Sequence, residues 1–179
     1  LPEMRRTAKV VNFGIMYGAG PFRMSQELGI PRIEAVAIID SYFDQYSGIR
    51  NYIDSTLQKA RNDKYVETML GRRRPVWDAN SENGLKRQAA ERMAINMPIQ
   101  GSAAEMIKLA MCSIHNEIVA QKMKSKMVLQ IHDELLFEFP KSEEELLIKL
   151  VVNKMENAMK LSVPLVVDYG IDKNWFEAH

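Results

Sequence analysis

The stretch that decides the fold is residues 127–139, Met-Val-Leu-Gln-Ile-His-Asp-Glu-Leu-Leu-Phe-Glu-Phe. Two short apolar runs lie on either side of the polar triplet His132, Asp133 and Glu134. Short apolar runs around a polar break are typical of an antiparallel hairpin. The sequence therefore predicts two strands joined by a turn that holds carboxylates in solvent.

Helical spacing of apolar residues dominates the rest of the chain. Ser102 and Glu105 form a capping box that predicts a helix start, and Pro98 predicts the end of the helix before it. The predicted helices cover residues 3–17, 22–28, 32–46, 49–62, 83–97, 102–122 and 142–160. The predicted strands cover residues 65–70, 76–77, 127–131, 135–139 and 165–171, with a turn at 71–75. Helices followed by a helix–hairpin–helix–strand unit indicate the α+β class.

Two helices are expected to supply most of the core beside the hairpin. Their apolar residues recur at helical spacing, and Cys112 is expected to be a small buried hydrophobe. The predicted core positions are Met106, Leu109, Ala110, Ile114, Ile118, Leu146, Leu147, Leu150, Val151, Met155 and Met159.

The composition of the 179 residues is ordinary for a globular protein, with 46% hydrophobic and 26% charged residues. No apolar run approaches the roughly 20 residues of a membrane helix, and a single cysteine excludes a disulfide scaffold. The net charge is +1, but residues 1–132 carry +6 and residues 133–179 carry −5. The basic part is either a surface for phosphates or a solvated surface with uneven charge.

The first predicted helix carries a stripe of cations and aromatics. Arg5, Lys9, Phe13 and Tyr17 are four residues apart and therefore lie on one face. Two cations near a helix N-terminus suit phosphate oxygens, and flat rings further along suit a base or sugar. The alternative is an amphipathic helix whose Phe and Tyr face the core.

Residues 5–18, Arg-Arg-Thr-Ala-Lys-Val-Val-Asn-Phe-Gly-Ile-Met-Tyr-Gly, closely resemble motif B of the family A DNA polymerases, the bacterial DNA polymerase I type. The resemblance implies that Arg5 and Lys9 hold the triphosphate, with Lys9 among the catalytic residues. It implies that Phe13 packs on the sugar and base. It also implies that Tyr17 occupies the template-base position before the fingers close.

Residues 130–135, Gln-Ile-His-Asp-Glu-Leu, resemble motif C of the same family. The resemblance implies that Asp133 is a catalytic ligand of Mg²⁺. It implies that Glu134 is a second catalytic acid near two Mg²⁺ ions, and that His132 contacts the primer end. By itself, a His-Asp-Glu triplet indicates a solvated turn more than a metal site, and the presence of motif B in the same chain reverses this. A second aspartate ligand is expected upstream of this chain.

Arg92, Asn96 and Gln100 are also four residues apart, and the segment around them resembles the part of the family that contacts DNA in the minor groove. Minor-groove acceptors are nearly equivalent in all base pairs, so donors there can test pair shape without reading sequence. The alternative is a polar face in solvent. Residues 72–74 are three arginines that either contact the DNA backbone or tie parts of the protein together by ion pairs.

The resemblance covers nearly the whole chain and implies a fingers subdomain at residues 1–80 and the C-terminal part of a palm at 81–179. The thumb, the first palm motif and any exonuclease domain are expected to lie outside the chain. The implied activity is template-directed nucleotidyl transfer with two Mg²⁺ ions, on primer–template DNA and deoxynucleoside triphosphates. We expect the 179 residues alone to be inactive.

The parent protein is expected to be a monomer without membrane contact, in the cytoplasm beside the bacterial nucleoid, with an organelle left open. Two other functions compete with polymerisation. One is a non-catalytic nucleic-acid-binding module descended from a polymerase. The other is a metal phosphohydrolase that uses His132 and Asp133, although such sites normally need several His and Asp ligands.

Overall fold

The computed structural model describes residues 2–178, with side chains from residue 3 onward. Its α-helices are α1 (Pro2–Met16), α2 (Pro21–Leu28), α3 (Arg32–Gln45), α4 (Ser47–Asp63), α5 (Gly84–Ala120), α6 (Glu144–Glu156) and α7 (Trp175–Ala178). Its strands are β1 (Tyr65–Glu67), β2 (Arg73–Pro75), β3 (Lys126–Ile131) and β4 (Glu134–Glu138). Short 3₁₀ helices cover Trp77–Asn80 and Lys141–Glu143.

The strands form two separate antiparallel pairs, β1 with β2 and β3 with β4. The α+β class predicted from the sequence is therefore confirmed. The chain divides into two compact units, Leu1–Ser102 and Ala103–His179. The assignment of fingers and palm with a boundary near residue 80 stays a prediction, because compactness does not identify either subdomain.

The first three helices share a small core in the first unit. Ile15, Met24 and Ala35 are buried together, one from each helix. Gly14 lets α2 approach α1, since a Cβ there would lie 3.1 Å from Met24 Cε. At the end of α1, Gly18 adopts a φ of 75° and closes the helix.

A second core of the first unit joins α4, the β1–β2 pair and the early part of α5. It consists of the buried residues Ala60, Val66, Val76, Ala79, Ala90 and Ala94. The small side chains of α5 let the hairpin and α4 approach its backbone closely.

The core of the second unit lies between α5 and α6. Ala110, Ile114 and Ile118 of α5 are buried with Leu147 and Leu150 of α6. The hairpin packs on this cluster through Met127, Leu135 and Phe137. The β3–β4 hairpin is thus the one predicted from residues 127–139.

Pro98 does not end a helix, so the predicted break between residues 97 and 102 is wrong, although the segments on both sides are helical as predicted. α5 runs without a break from Gly84 to Ala120, with Pro98 inside it. Ser102 is therefore a mid-helix residue and not a cap. Its Oγ donates to the Pro98 carbonyl at 2.5 Å and accepts the Met69 amide at 2.9 Å. Contacts from outside the helix hold the turn that Pro98 weakens.

The strand predictions outside β3 and β4 need correction. β1 ends at Glu67, because residues 68–72 form a tight turn, and its partner is Arg73–Pro75 and not residues 76–77. Within residues 2–178 no strand forms at the predicted position 165–171. A strand exists only where another strand accepts its hydrogen bonds, and here the Val167 amide donates to the Glu156 carboxylate.

Three residues predicted for the core are exposed instead. Leu109 and Leu146 are 44% and 48% exposed, and Cys112 is exposed as well. At 3.6 residues per turn, Leu109 and Cys112 lie roughly 140° and 160° around α5 from Ile114. The buried face is narrower than the count of apolar residues suggests.

Among residues 2–178, no helix combines the length and the apolar character that crossing a bilayer requires.

The core position of Ile114 gives a test of the second unit. Ile114→Ala should lower the free energy of unfolding by about 2–5 kcal/mol, since it leaves a cavity in a fully buried site. The matched control, Leu109→Ala on the same helix, should cost less than about 1 kcal/mol. Denaturant unfolding of both variants measures the difference, and equal losses would contradict the assignment of the buried face.

Candidate functional site

The stripe predicted on the first helix is present on the surface of α1. Arg5, Lys9 and Phe13 are exposed, and Phe13 retains 48% of its accessible surface. Neither cation makes an ion pair with another residue in the described part of the chain. Both positive charges are therefore accessible to an anion in solution.

The C-terminal end of α1 fixes the positions of the two aromatic residues of the stripe, Phe13 and Tyr17. The rings of Phe13 and Tyr17 stack, with centroids 6.1 Å apart and planes inclined by 16°. Tyr17 lies just beyond the helix, and its amide donates to the Phe13 carbonyl at 3.0 Å. Gly18 then turns the chain, and the Ala19 amide returns to the Gly14 carbonyl at 2.8 Å. The turn keeps Tyr17 one helical turn from Phe13.

A pocket of about 160 Å³ lies between α1 and α2 beside these rings. Phe13, Gly14 and Tyr17 line one side, and Arg23 and Glu27 of α2 line the other. Arg23 Nε donates to Glu27 Oε1 at 2.6 Å. Sequence reasoning missed these two residues, although their i,i+4 spacing of opposite charges was visible.

The end of the stripe lies next to the polar face of α5 in the same unit. A Cβ on Gly18 would lie 3.2 Å from Ile95 Cδ1 and 3.6 Å from Arg92 Cγ. The Tyr52 hydroxyl donates to the Ile95 carbonyl at 2.9 Å, and burial raises the pKa of that phenol. Gly18, the residue after Tyr17, therefore lies next to Arg92.

The three predicted DNA contacts occupy successive turns of α5. Arg92 and Gln100 are exposed, whereas Asn96 is half-buried. Asn96 Oδ1 is buried and has no hydrogen-bond partner among the residues described. Because Pro98 does not break α5, all three side chains share one face.

Two of the three arginines at residues 72–74, Arg73 and Arg74, have different surroundings. Arg73 Nε lies 3.3 Å from Glu67 Oε2, and its guanidinium stacks over the Tyr65 ring at 4.5 Å. Lys59 Nζ also donates to Glu67, and this hydrogen bond, together with the contacts of Arg73, lowers the pKa of Glu67. Arg73 thus stabilises the β1–β2 hairpin. Arg74 lies at an exposed position of β2.

The β3–β4 hairpin carries its polar triplet at the tip. His132 and Asp133 form a two-residue loop between the paired residues Ile131 and Glu134. His132 adopts a φ of 54°, as the first loop residue of a primed turn requires. The Gln130 side-chain amide donates to the His132 carbonyl at 2.8 Å and fixes the loop. The Asp133 carboxylate is exposed.

Glu143 secures the base of the same hairpin. Its carboxylate accepts the amides of Lys124 and Ser125, each at 2.9 Å, and the Ser125 hydroxyl at 2.6 Å. The bond from the Lys124 amide, followed by those from Ser125, lowers the pKa of Glu143. Sequence reasoning missed this anchor, since nothing local links residue 143 to residue 125.

The acids of the hairpin do not by themselves make a metal site. Within residues 2–178, no three His, Cys, Asp or Glu side chains are grouped so that they could hold an ion. Asp133 and Glu134 are suitable oxygen donors for Mg²⁺, but a protein site for this ion needs further ligands. Among the residues described, Asp133 and Glu134 therefore fit part of a Mg²⁺ ligand set and not the whole of it.

The first unit carries a cationic and aromatic helix, and the second unit carries an acidic hairpin tip. A family model for DNA polymerase family A matches residues 1–177. The chain belongs to DNA polymerase family A.

Individual relatives agree with this membership. DNA polymerase I of Streptococcus pneumoniae is 50% identical over 174 residues, which are 97% of this chain and 20% of the relative. The thermostable DNA polymerase I of Thermus thermophilus is 48% identical over 177 residues, 99% of this chain and 21% of the relative. The chain spans about a fifth of the length of these relatives.

A solved structure has the same fold. The POL domain of Pol1 from M. smegmatis, in complex with DNA primer-template and dNTP, superposes with a TM-score of 0.96. The two sequences are 42% identical, and the match covers 99% of this chain and 31% of the other.

The anchor at Glu143 predicts a measurable titration. Ser125→Ala should raise the pKa of Glu143 toward its ordinary value of 4.5, because the charged form loses its hydroxyl donor. The stabilisation by this carboxylate should be present above pH 4.5 and lost as the pH falls through the lowered folded value. NMR titration of the Glu143 carboxyl carbon measures both.

The control for this titration is Ser142→Ala, which removes an exposed hydroxyl from the residue directly before Glu143. It should leave the pKa of Glu143 unchanged. A pKa of Glu143 that does not respond to Ser125→Ala would contradict the anchor.

Proposed function

We propose that this chain forms part of the active site of a DNA-directed DNA polymerase, which adds deoxynucleotides to a primer 3′ end. The observation that carries the proposal is the stripe on α1. Two accessible cations precede a stacked aromatic pair on one helix face, in a chain that belongs to family A. Charge for phosphates and a flat ring for a base are what nucleotide binding requires.

In this proposal Arg5 and Lys9 bind the triphosphate of the incoming nucleotide. Arg5 offers a bidentate fork and Lys9 a point charge. Lys9 also neutralises charge on the phosphates as the bond to the α-phosphate forms. Phe13 packs against the sugar and base, and Tyr17 holds the template-base position until the nucleotide binds. The dNTP named for the M. smegmatis complex supports a deoxynucleoside triphosphate as the ligand.

Asp133 is proposed as a ligand of Mg²⁺, with Glu134 as a nearby acid. When bound, two such ions would activate the primer hydroxyl and stabilise the departing pyrophosphate. The remaining ligands, including a second aspartate, must come from outside the described residues. Asp133 itself supplies an exposed carboxylate whose position is fixed by the hairpin below it. A rigid hairpin suits this task, since a ligand must hold its geometry.

Primer–template DNA is the proposed macromolecular partner. Arg92, Asn96 and Gln100 would contact minor-groove acceptors, which all base pairs present in nearly equivalent positions. His132 would contact the primer terminus. The primer–template in the M. smegmatis complex supports this partner.

The relatives are bacterial proteins, and we propose a cytoplasmic location close to the nucleoid, where the DNA is. We propose a monomeric parent protein with no membrane partner. The isolated 179 residues are proposed to be inactive, because within residues 2–178 no three His, Cys, Asp or Glu side chains are grouped to hold a metal ion.

The role of Asp133 predicts the result of a single substitution in the full-length gene product. Asp133→Asn should reduce primer extension by several orders of magnitude, as expected when a metal ligand is lost. DNA binding should persist, because the amide keeps the shape of the loop. Extension is measured on a labelled primer, and binding by fluorescence anisotropy.

Glu138→Gln is the matched control, since it neutralises an exposed carboxylate on the same hairpin. It should extend primers at the parent rate. If Asp133→Asn also extends at that rate, Asp133 is not a catalytic metal ligand. DNA binding without any extension by the parent protein would favour the non-catalytic binding module instead.

The role of Lys9 predicts a defect in nucleotide affinity. Lys9→Ala should weaken binding of the incoming nucleotide by roughly 10- to 100-fold, the value of a charge-assisted hydrogen bond. Arg6→Ala, which removes an exposed cation from a different face of α1, should change the affinity little. Nucleotide titrations of single-turnover extension measure both, and equal effects would contradict a specific phosphate site.

A further inference from the structure

The turn between β1 and β2 is fastened to α5 through one hydroxyl. Residues 68–72 form this turn, and the Met69 amide donates to Ser102 Oγ at 2.9 Å. Ser102 Oγ in turn donates to the Pro98 carbonyl at 2.5 Å. The hydroxyl is buried, because Ser102 retains only 4% of its accessible surface. A backbone amide of the turn is thus connected to the backbone of α5 two residues before Gln100.

The turn itself is closed by its own hydrogen bonds. The Thr68 amide donates to the Arg72 carbonyl at 2.9 Å, and the Gly71 amide donates to the Thr68 carbonyl at 3.0 Å. The Arg72 amide donates to Thr68 Oγ1 at 3.1 Å. Gly71 supplies the φ of 82° that the turn requires. The turn is therefore a stiff support and not a loose loop.

Steric contact adds to the hydrogen bonds at the same place. A Cβ on Gly101 would lie 2.6 Å from Thr68 Cγ2, which is closer than van der Waals contact allows. Glycine at 101 thus lets the turn lie directly on the backbone of α5. Thr68 is itself buried, with 5% of its surface accessible, so its methyl group has little room to move away.

The support begins at the residue that weakens α5. Pro98 has no amide to donate to the Ala94 carbonyl, and an interior proline commonly kinks a helix. Asn96 and Gln100 lie on the two sides of this proline. If the helix bent there, their spacing along one face would change.

We propose that the 68–72 turn is a positioning element that keeps Asn96 and Gln100 in register, with Ser102 and Gly101 as positioning residues. This inference rests on the proposed function, in which those two side chains test the shape of base pairs in the minor groove. Loss of the support then weakens the rejection of a mismatched primer terminus more than it slows extension of a matched one.

The experiment uses the full-length gene product and compares single-turnover extension from matched and mismatched primer ends. Gly101→Ala should reduce the matched-to-mismatched ratio of kcat/KM by roughly tenfold, since small displacements of positioning groups have large kinetic effects. Thr68→Ser removes Cγ2 and keeps the hydroxyl, so alone it should leave the ratio unchanged. The double variant should recover the parent ratio.

Ser102→Ala tests the hydroxyl independently and should also lower the ratio, whereas Ser102→Thr, which keeps the hydroxyl, should preserve it. Hydrogen exchange of the same variants gives a readout that does not need activity. The amides of Met69 and of residues 96, 97 and 99–102 should exchange faster in Gly101→Ala and Ser102→Ala, and at the parent rate in the Gly101→Ala/Thr68→Ser double variant.

Unchanged exchange, or a double variant no better than Gly101→Ala, would overturn the positioning role. Faster exchange with an unchanged mismatch ratio would overturn it as well, since the turn would then only stabilise the fold. If the parent protein extends no primer at all, the proposed function fails, and the exchange data alone decide whether the turn holds α5.

Discussion

One core of each unit packs against its own length of α5, and this burial is the constraint on which most other features depend. Ala90 and Ala94 are buried in the first unit, and Ala110 and Ile114 in the second. Burial of such faces supplies most of the stability of a helix within a protein. It also fixes which side chains of α5 remain outside. The face of α5 with Arg92 and Gln100 is exposed because the opposite face, with Ala90 and Ala94, is buried in the core.

The candidate site residues of both units are placed in the same way. Each lies on the exposed side of a helix or hairpin whose other side is buried. Phe13 and Lys9 lie outward on α1, while Ile15 is packed against α2. Asp133 projects from a hairpin held by Phe137 below and by the Glu143 carboxylate at its base. Preorganisation of this kind lets a site bind phosphate or metal without first ordering the chain.

The elements that the sequence predicts well are those whose signals are local. The helix α1, its glycine stop and the β3–β4 hairpin are encoded by spacing and turn residues, and so is the stripe of the candidate site. The continuity of α5 through Pro98 was not predictable, because a hydroxyl bridge to Met69 supports it from a distant turn. The missing strand at 165–171 depends on a partner strand, which local sequence does not reveal. The role of Arg23 and Glu27 in lining the pocket could likewise not be predicted, because it depends on the packing of α2 on α1.

The most direct test of the account is whether the template chooses the nucleotide. The full-length gene product is given one primer, four templates that differ only in the templating base, and each deoxynucleotide in turn with Mg²⁺. The account predicts that each template selects its complementary nucleotide and that one pyrophosphate is released for each addition. Addition that ignores the template, or tight DNA binding with no addition, would contradict it.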